Sequence, residues 1–170
     1  MRLLFAGDSL IEYGDWQERF PGHEVYQYGI AGETVEGLLS RLQTVMKDVV
    51  DADGVFLMTG INNLAMDDRG FVVAYRKILA AFKARYPSAR IFVNSLLPVR
   101  YPFISNEEIR RVNRELRALA DTEGVDYLEV HVRFLNHEGD PKSSYFLEDG
   151  VHLSPEGYRV WASAVEERIS

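Results

Sequence analysis

Four short stretches of this chain hold residue types that could do chemistry together. Ser9 sits in Gly7-Asp8-Ser9-Leu10, directly after the apolar run of residues 2–6. Gly29-Ile30-Ala31-Gly32 and Gly60-Ile61-Asn62-Asn63 each follow another such run. Asp149 and His152 stand three residues apart near the end of the chain. A serine hydroxyl is a weak nucleophile until a neighbouring base takes its proton. His152 can be that base, and Asp149 can hold the other imidazole nitrogen and stabilise the imidazolium. Acyl transfer to Ser9 would pass through a tetrahedral oxyanion, which needs donors aimed at it. The backbone N–H groups of Ser9 and Gly32 and the side-chain amide of Asn62 suit that role.

Each stretch also has a plainer reading. Gly-Asp-Ser, Asp-Gly and Asn-Asn are ordinary turn formers. A lone histidine is more often a polar residue flanking a helix than a catalyst. Taken together, four pieces in complementary roles, each at an expected loop, favour chemistry.

The elements that must position these residues follow from hydrophobic spacing. Apolar runs at residues 3–6, 24–28, 54–59, 91–95 and 125–128 read as strands. Helical spacing places one helix over 34–50, with Val35, Leu38, Leu39, Leu42, Val45, Met46 and Val49 on one face, and another over 68–86. Ser105-Asn106-Glu107-Glu108 is a capping box for a helix reaching about 122. Ser154-Pro155 is a helix start, with serine as cap and proline in the first turn. About two dozen residues before it lack periodicity, and loops of that length are usually functional or disordered. Strand and helix alternate, so an α/β fold is expected, with a parallel sheet covered by helices on both faces. In a 2-1-3-4-5 strand order, the loops after the first three strands meet in one crevice beyond the carboxyl ends. No repeat or linker divides residues 1–170, and one domain is expected.

Composition narrows the partners. A formal charge of −7 argues against nucleic-acid binding and against docking on anionic membranes. Zero cysteines exclude disulfides, thiol catalysis and cysteine-held metal. The histidines at 23, 131, 137 and 152 include no i, i+4 pair, so no metal is expected. There is no Walker loop to bind a nucleotide. No run is long enough to span a bilayer, and the first residues make too short an apolar stretch for a secretory signal. A cytoplasmic location is expected.

In these blocks the chain resembles the SGNH hydrolases, also called GDSL esterases and lipases. The matching residues are Ala6-Gly7-Asp8-Ser9-Leu10, Gly29-Ile30-Ala31-Gly32-Glu33-Thr34, Gly60-Ile61-Asn62-Asn63-Leu64 and Asp149-Gly150-Val151-His152-Leu153-Ser154. The resemblance implies a flavodoxin-like three-layer α/β/α sandwich that hydrolyses small-molecule esters without metal or cofactor. It implies Ser9 as nucleophile, Asp149 and His152 as its triad partners, and Ser9, Gly32 and Asn62 as oxyanion donors. Two positions depart from the family's habit: Asn63 stands where aspartate is usual, and Gln27 where asparagine is common. Both read as supporting positions that bear on rate or substrate choice more than on reaction type. From loop position, Leu10, Ile11, Tyr101 and Val151 are expected to wall the substrate pocket. Two alternatives stay open: a carbohydrate O-deacetylase or thioesterase of the same family, and a non-catalytic flavodoxin-like module whose loop 29–32 cradles a phosphate or flavin. A binding module has no use for the Asp149/His152 pair.

Overall fold

The apolar runs form β1 (Arg2–Gly7), β2 (Glu24–Gly29), β3 (Gly54–Met58), β4 (Arg90–Asn94) and β5 (Asp126–Leu128). In the computed structural model, which describes residues 1–170, they make one sheet in the order β2-β1-β3-β4-β5. Every neighbouring pair is parallel. β1 and β3 are central, which is why Leu3–Ala6 and Val55–Met58 are continuously apolar and fully buried. β2 lies at an edge and is only half-buried.

Seven helices flank the sheet: α1 (Ser9–Glu12), α2 (Trp16–Arg19), α3 (Val35–Asp48), α4 (Ile61–Ala65), α5 (Val72–Arg85), α6 (Asn106–Glu123) and α7 (Pro155–Ile169). On one face, Phe5, Phe56 and Phe92 lie in register across β1, β3 and β4 and stack in turn. Trp16 of α2 stacks on Phe5, and Trp161 of α7 meets Trp16 edge-on. The opposite layer is α3, α5 and α6, packed side by side. The arrangement is the three-layer α/β/α sandwich that the alternation of strands and helices implies.

Capping residues fix where α3, α6 and α7 begin. Thr34 Oγ1 accepts from Gly37 N at 3.2 Å, Ser105 Oγ from Glu107 N and Glu108 N, and Ser154 Oγ from Gly157 N at 3.1 Å. The segment 129–154 is irregular but tied down. It contains two 3₁₀ turns, at His131–Phe134 and Ser143–Tyr145, and an isolated bridge between Phe146 and Leu153. No helix is long and apolar enough to cross a membrane.

Three elements differ from the sequence reading. Ser9 opens the short helix α1, and Asn62 and Asn63 lie inside the short helix α4, where loops were expected. Four or five residues are too few to reveal helical spacing. α5 begins at Val72, not near 68, because Asp68 Oδ1 turns the chain by accepting from Gly70 N at 2.8 Å.

Candidate active site

The site forms where β1, β2 and β3 end. At Gly7 a Cβ would collide with the Met58 carbonyl oxygen, so only glycine lets β1 lie against β3 here. The next residue, Asp8, caps α1 with Oδ1, which accepts from Leu10 N at 3.0 Å. Ser9 is thereby held as the first residue of α1, where its backbone N–H has no partner within the helix. Ser9 is nearly buried, 6% exposed. Two residues outside the four blocks brace this helix. Gln27 of β2 donates to Glu12 O, and Glu12 Oε2 accepts from Ala31 N at 2.6 Å. Gln27 therefore anchors the far end of the nucleophile's helix to β2. Glu12 also places a carboxylate on the 29–32 loop, which opposes its use as a phosphate cradle.

The long irregular segment brings the other side of the site. Gly150 takes a left-handed φ of 72° and lies against the Arg100 backbone. Arg100 N donates to Gly150 O at 2.7 Å, tying this turn to the segment after β4. Asp149 Oδ1 accepts from Val151 N and His152 N, both at 2.8 Å, and the turn becomes rigid. Asp149 Oδ2 is 2.7 Å from His152 Nδ1, and His152 Nε2 is 3.0 Å from Ser9 Oγ. This continuous chain joins residues 143 positions apart. A carboxylate, an imidazole and a hydroxyl so connected can move a proton off Ser9. Partial burial works to raise the Asp149 pKa. The His152 ring and the two backbone N–H donors outweigh it and hold the carboxyl below its ordinary range.

Asn62 Nδ2 donates to Glu33 O at 3.0 Å, which orients the amide and leaves its second hydrogen free. Glu33 is itself fixed by Arg41, whose Nε and Nη2 meet its two carboxylate oxygens at 2.6 Å each. Asn63 is buried, and its Oδ1 accepts from Val35 N at 3.0 Å. Its Nδ2 lies 2.8 Å from both Glu36 Oε2 and Asp68 Oδ2. Two adjacent asparagines thus zip α4 to the start of α3. Gly32 adopts φ 76° in the turn before α3, next to Glu33, whose carbonyl oxygen accepts from Asn62 Nδ2.

That pocket holds about 180 Å³ and is walled by Ile61, Ala65, Tyr101, Ile104 and Val151. Tyr101 and Val151 line this pocket. Leu10 and Ile11 do not: they are 3% and 0% exposed and belong to the core. The correction follows from α1, since a helix starting at Ser9 turns the next two side chains inward. Ile61, Ala65 and Ile104 were missed because two of them ride on the unrecognised α4.

Asp8 is a carboxyl sealed beneath the site, fully buried, with its Oδ2 lacking any partner. Burial pushes its pKa up to about 7, although the Leu10 N–H and His152 both favour the anion. Thr59, also fully buried, has an unpartnered hydroxyl one residue past the β1–β3 pair Gly7–Met58. No group of three or more acidic or histidine side chains is arranged to hold a metal ion.

Comparison with known proteins gives the family and the fold. The platelet-activating factor acetylhydrolase IB subunit alpha1 of Bos taurus is 29% identical over 162 residues, 92% of this chain and 69% of that one. A solved Streptococcus pneumonia protein, provisionally assigned as a platelet activating factor, superposes with a TM-score of 0.87 at 27% identity, covering 99% of this chain and 83% of that one. An acetyl xylan esterase from Geobacillus stearothermophilus shares the fold, with a TM-score of 0.81 at 18% identity and coverage of 99% and 94%. The family model of the GDSL-like Lipase/Acylhydrolase family matches residues 5–160, so all four motif blocks lie within one match. This chain belongs to the GDSL-like lipase/acylhydrolase family.

Proposed function

We propose that the protein is a serine esterase that hydrolyses short-chain carboxylic esters through an acyl-enzyme on Ser9. The observation that carries this reading is the unbroken chain Asp149–His152–Ser9 at 2.7 and 3.0 Å. His152 Nε2 takes the Ser9 proton as Oγ attacks the ester carbonyl. Asp149 holds the imidazole by Nδ1 and stabilises its charged form. The oxyanion receives the free Asn62 hydrogen, aided by backbone N–H groups of Ser9 and Gly32. His152 then protonates the departing alcohol, and a water molecule attacks the acyl-enzyme by the same route in reverse. The small acyl preference rests on a pocket of about 180 Å³, below the ~300–1,000 Å³ of sites for drug-sized ligands.

The test is a hydrolysis series on p-nitrophenyl esters of rising chain length, with fluorophosphonate labelling. The expected result is labelling of Ser9, highest kcat/KM on the acetyl or propionyl ester, and no turnover by a folded Ser9→Ala protein. Near-normal turnover by that variant would remove the proposal.

A further inference from the structure

A cavity of about 230 Å³ lies between α6 and the segment after β5. Arg110, Arg114 and Arg117 line it from α6, and Glu129 and His131 line it from the other side. It shares no residue with the pocket of Ser9 and Asn62. Spacings of four and three residues put the three arginines on one face of the helix. Arg117 is already engaged: its Nη2 is 2.8 Å from Glu129 Oε2, and its guanidinium lies 4.3 Å from the centroid of the Tyr127 ring. Arg111, outside the cavity, pairs with Glu115. Arg110 and Arg114 meet no carboxylate, in a chain with 26 acidic side chains against 19 basic ones.

The opposite wall holds two acceptors. His131 is only 4% exposed. Its Nδ1 lies 2.9 Å from Leu96 O, and a carbonyl only accepts, so the ring proton sits on Nδ1 and Nε2 carries a lone pair. Burial lowers the His131 pKa, helped by Arg110 and opposed by the Leu96 carbonyl and Glu129, so the imidazole is neutral at pH 7. Its Nε2 is buried without a hydrogen-bond partner, and so is Glu129 Oε1. The neighbouring polar side chains are engaged elsewhere. Asn113 Oδ1 accepts from Leu96 N at 2.7 Å and its Nδ2 donates to Leu96 O at 2.9 Å, while the Tyr127 hydroxyl donates to Asn113 O at 3.2 Å. A buried acceptor left without a donor is costly, and here two border one cavity.

The two walls call for opposite groups. A simple dicarboxylate would answer Arg110 and Arg114 but bring no donor to His131 Nε2 and set an anion against Glu129. A plain amine would serve the acceptors and be repelled by the arginines. An α-amino acid carries both groups, and an acidic one carries a carboxylate for each unpaired arginine. Its ammonium can donate to Glu129 Oε1 and to His131 Nε2, and its short stem can lie on Val132 and Leu135, the apolar part of the lining. We infer that the cavity between Arg110 and His131 is a binding site for an acidic α-amino acid. The site stands apart from the esterase reading and does not depend on it.

The experiment is calorimetric titration of the full chain at pH 7 and low salt with L-glutamate, with glutarate, which lacks the ammonium, and with L-leucine, which lacks the second carboxylate. L-Glutamate is expected to bind at least about tenfold more tightly than either, the worth of one charge-assisted hydrogen bond. Arg110→Gln and Arg114→Gln should each weaken it by a similar factor; both positions are exposed, and glutamine is a good helix former, so the fold is kept. Arg111→Gln makes the same change of charge outside the cavity and should leave binding as it is. Glu129→Gln should weaken L-glutamate and erase its advantage over glutarate. In nitrogen NMR spectra the His131 Nε2 resonance should move as L-glutamate is added. No binding of L-glutamate, equal binding of glutarate, full binding in the Arg110→Gln/Arg114→Gln double variant, or an unmoved His131 resonance would each overturn the site.

Discussion

The substitution Asn63→Asp restores the residue usual in the family, yet the structure argues that it damages this protein. Asn63 Nδ2 donates to Glu36 Oε2 and Asp68 Oδ2, each at 2.8 Å. A carboxylate there would face two others. At that separation and an effective dielectric near 20, each like-charge contact would cost about 6 kcal/mol, more than the fold would tolerate unrelieved. Glu36 and Asp68 are both exposed, so they can turn to water. What then remains is the loss of two hydrogen bonds to charged acceptors, about 1.5–3 kcal/mol each. Exposure favours the lower end, and the expected destabilisation is about 3 kcal/mol at pH 8. Mutual repulsion raises the pKa of the introduced carboxyl. The penalty is therefore present at high pH and shrinks as the pH falls toward 5 and a proton restores one donor. Activity should follow. Asn63 also holds Val35 N, two residues from the Glu33 carbonyl that orients Asn62. A loosened junction should lower kcat on p-nitrophenyl acetate more than about tenfold. Urea denaturation at pH 8 and pH 5 gives the stability change, and adding Glu36→Gln to the variant should recover part of it by returning a donor. A variant with wild-type midpoint and kcat at pH 8 would refute the reasoning.

Other outcomes follow from the same geometry. Asn62→Ala should lower kcat by about 10²–10³, about 3–4 kcal/mol, with a smaller effect on KM; wild-type kcat in it would leave Asn62 only a tie between α4 and the Glu33 carbonyl. Asp8→Asn should raise stability at pH 8 and leave it little changed at pH 4, as measured by thermal unfolding across that range. The sign comes from a folded pKa raised from 3.8 to about 7: the folded state keeps a proton that the unfolded state has released, so stability is lost as pH climbs from about 4 to 7. At about 1.4 kcal/mol for each pH unit, the wild-type penalty is at most about 4 kcal/mol; equal pH dependence in both proteins would show that Asp8 is not the titrating group.

The sheet was legible because burial on both faces leaves a signature in sequence. Leu3–Ala6 and Val55–Met58 admit no polar residue, and the helices over 35–48, 106–123 and 155–169 repeat apolar residues at helical spacing over many turns. α1 and α4 left no such trace. Each is about one turn long, and each is fixed from outside: α1 by Gln27 and the Asp8 cap, α4 by Asn63. The error over Leu10 and Ile11 comes from that gap, since a loop would have left them free to face the pocket.

The same distinction explains which site residues could be read. Ser9, Asn62, Asp149 and His152 are chemically conspicuous, and their placement after strands gives them a common edge without any knowledge of packing. Gln27, Glu33, Arg41 and the environment of Asn63 are ordinary polar residues whose roles depend on partners between 5 and 29 positions away. Nothing in their identities announces those partners. Asn63 makes the point most sharply. In sequence it differs from aspartate by one charge and looks interchangeable with it. In the fold, that difference decides whether Glu36 and Asp68 meet a donor or a third carboxylate, and so whether the two ends of the α3–α4 junction attract or repel. The residue at 63 is therefore set by its two acidic neighbours, and a chain carrying Asp there would need a donor in place of at least one of them.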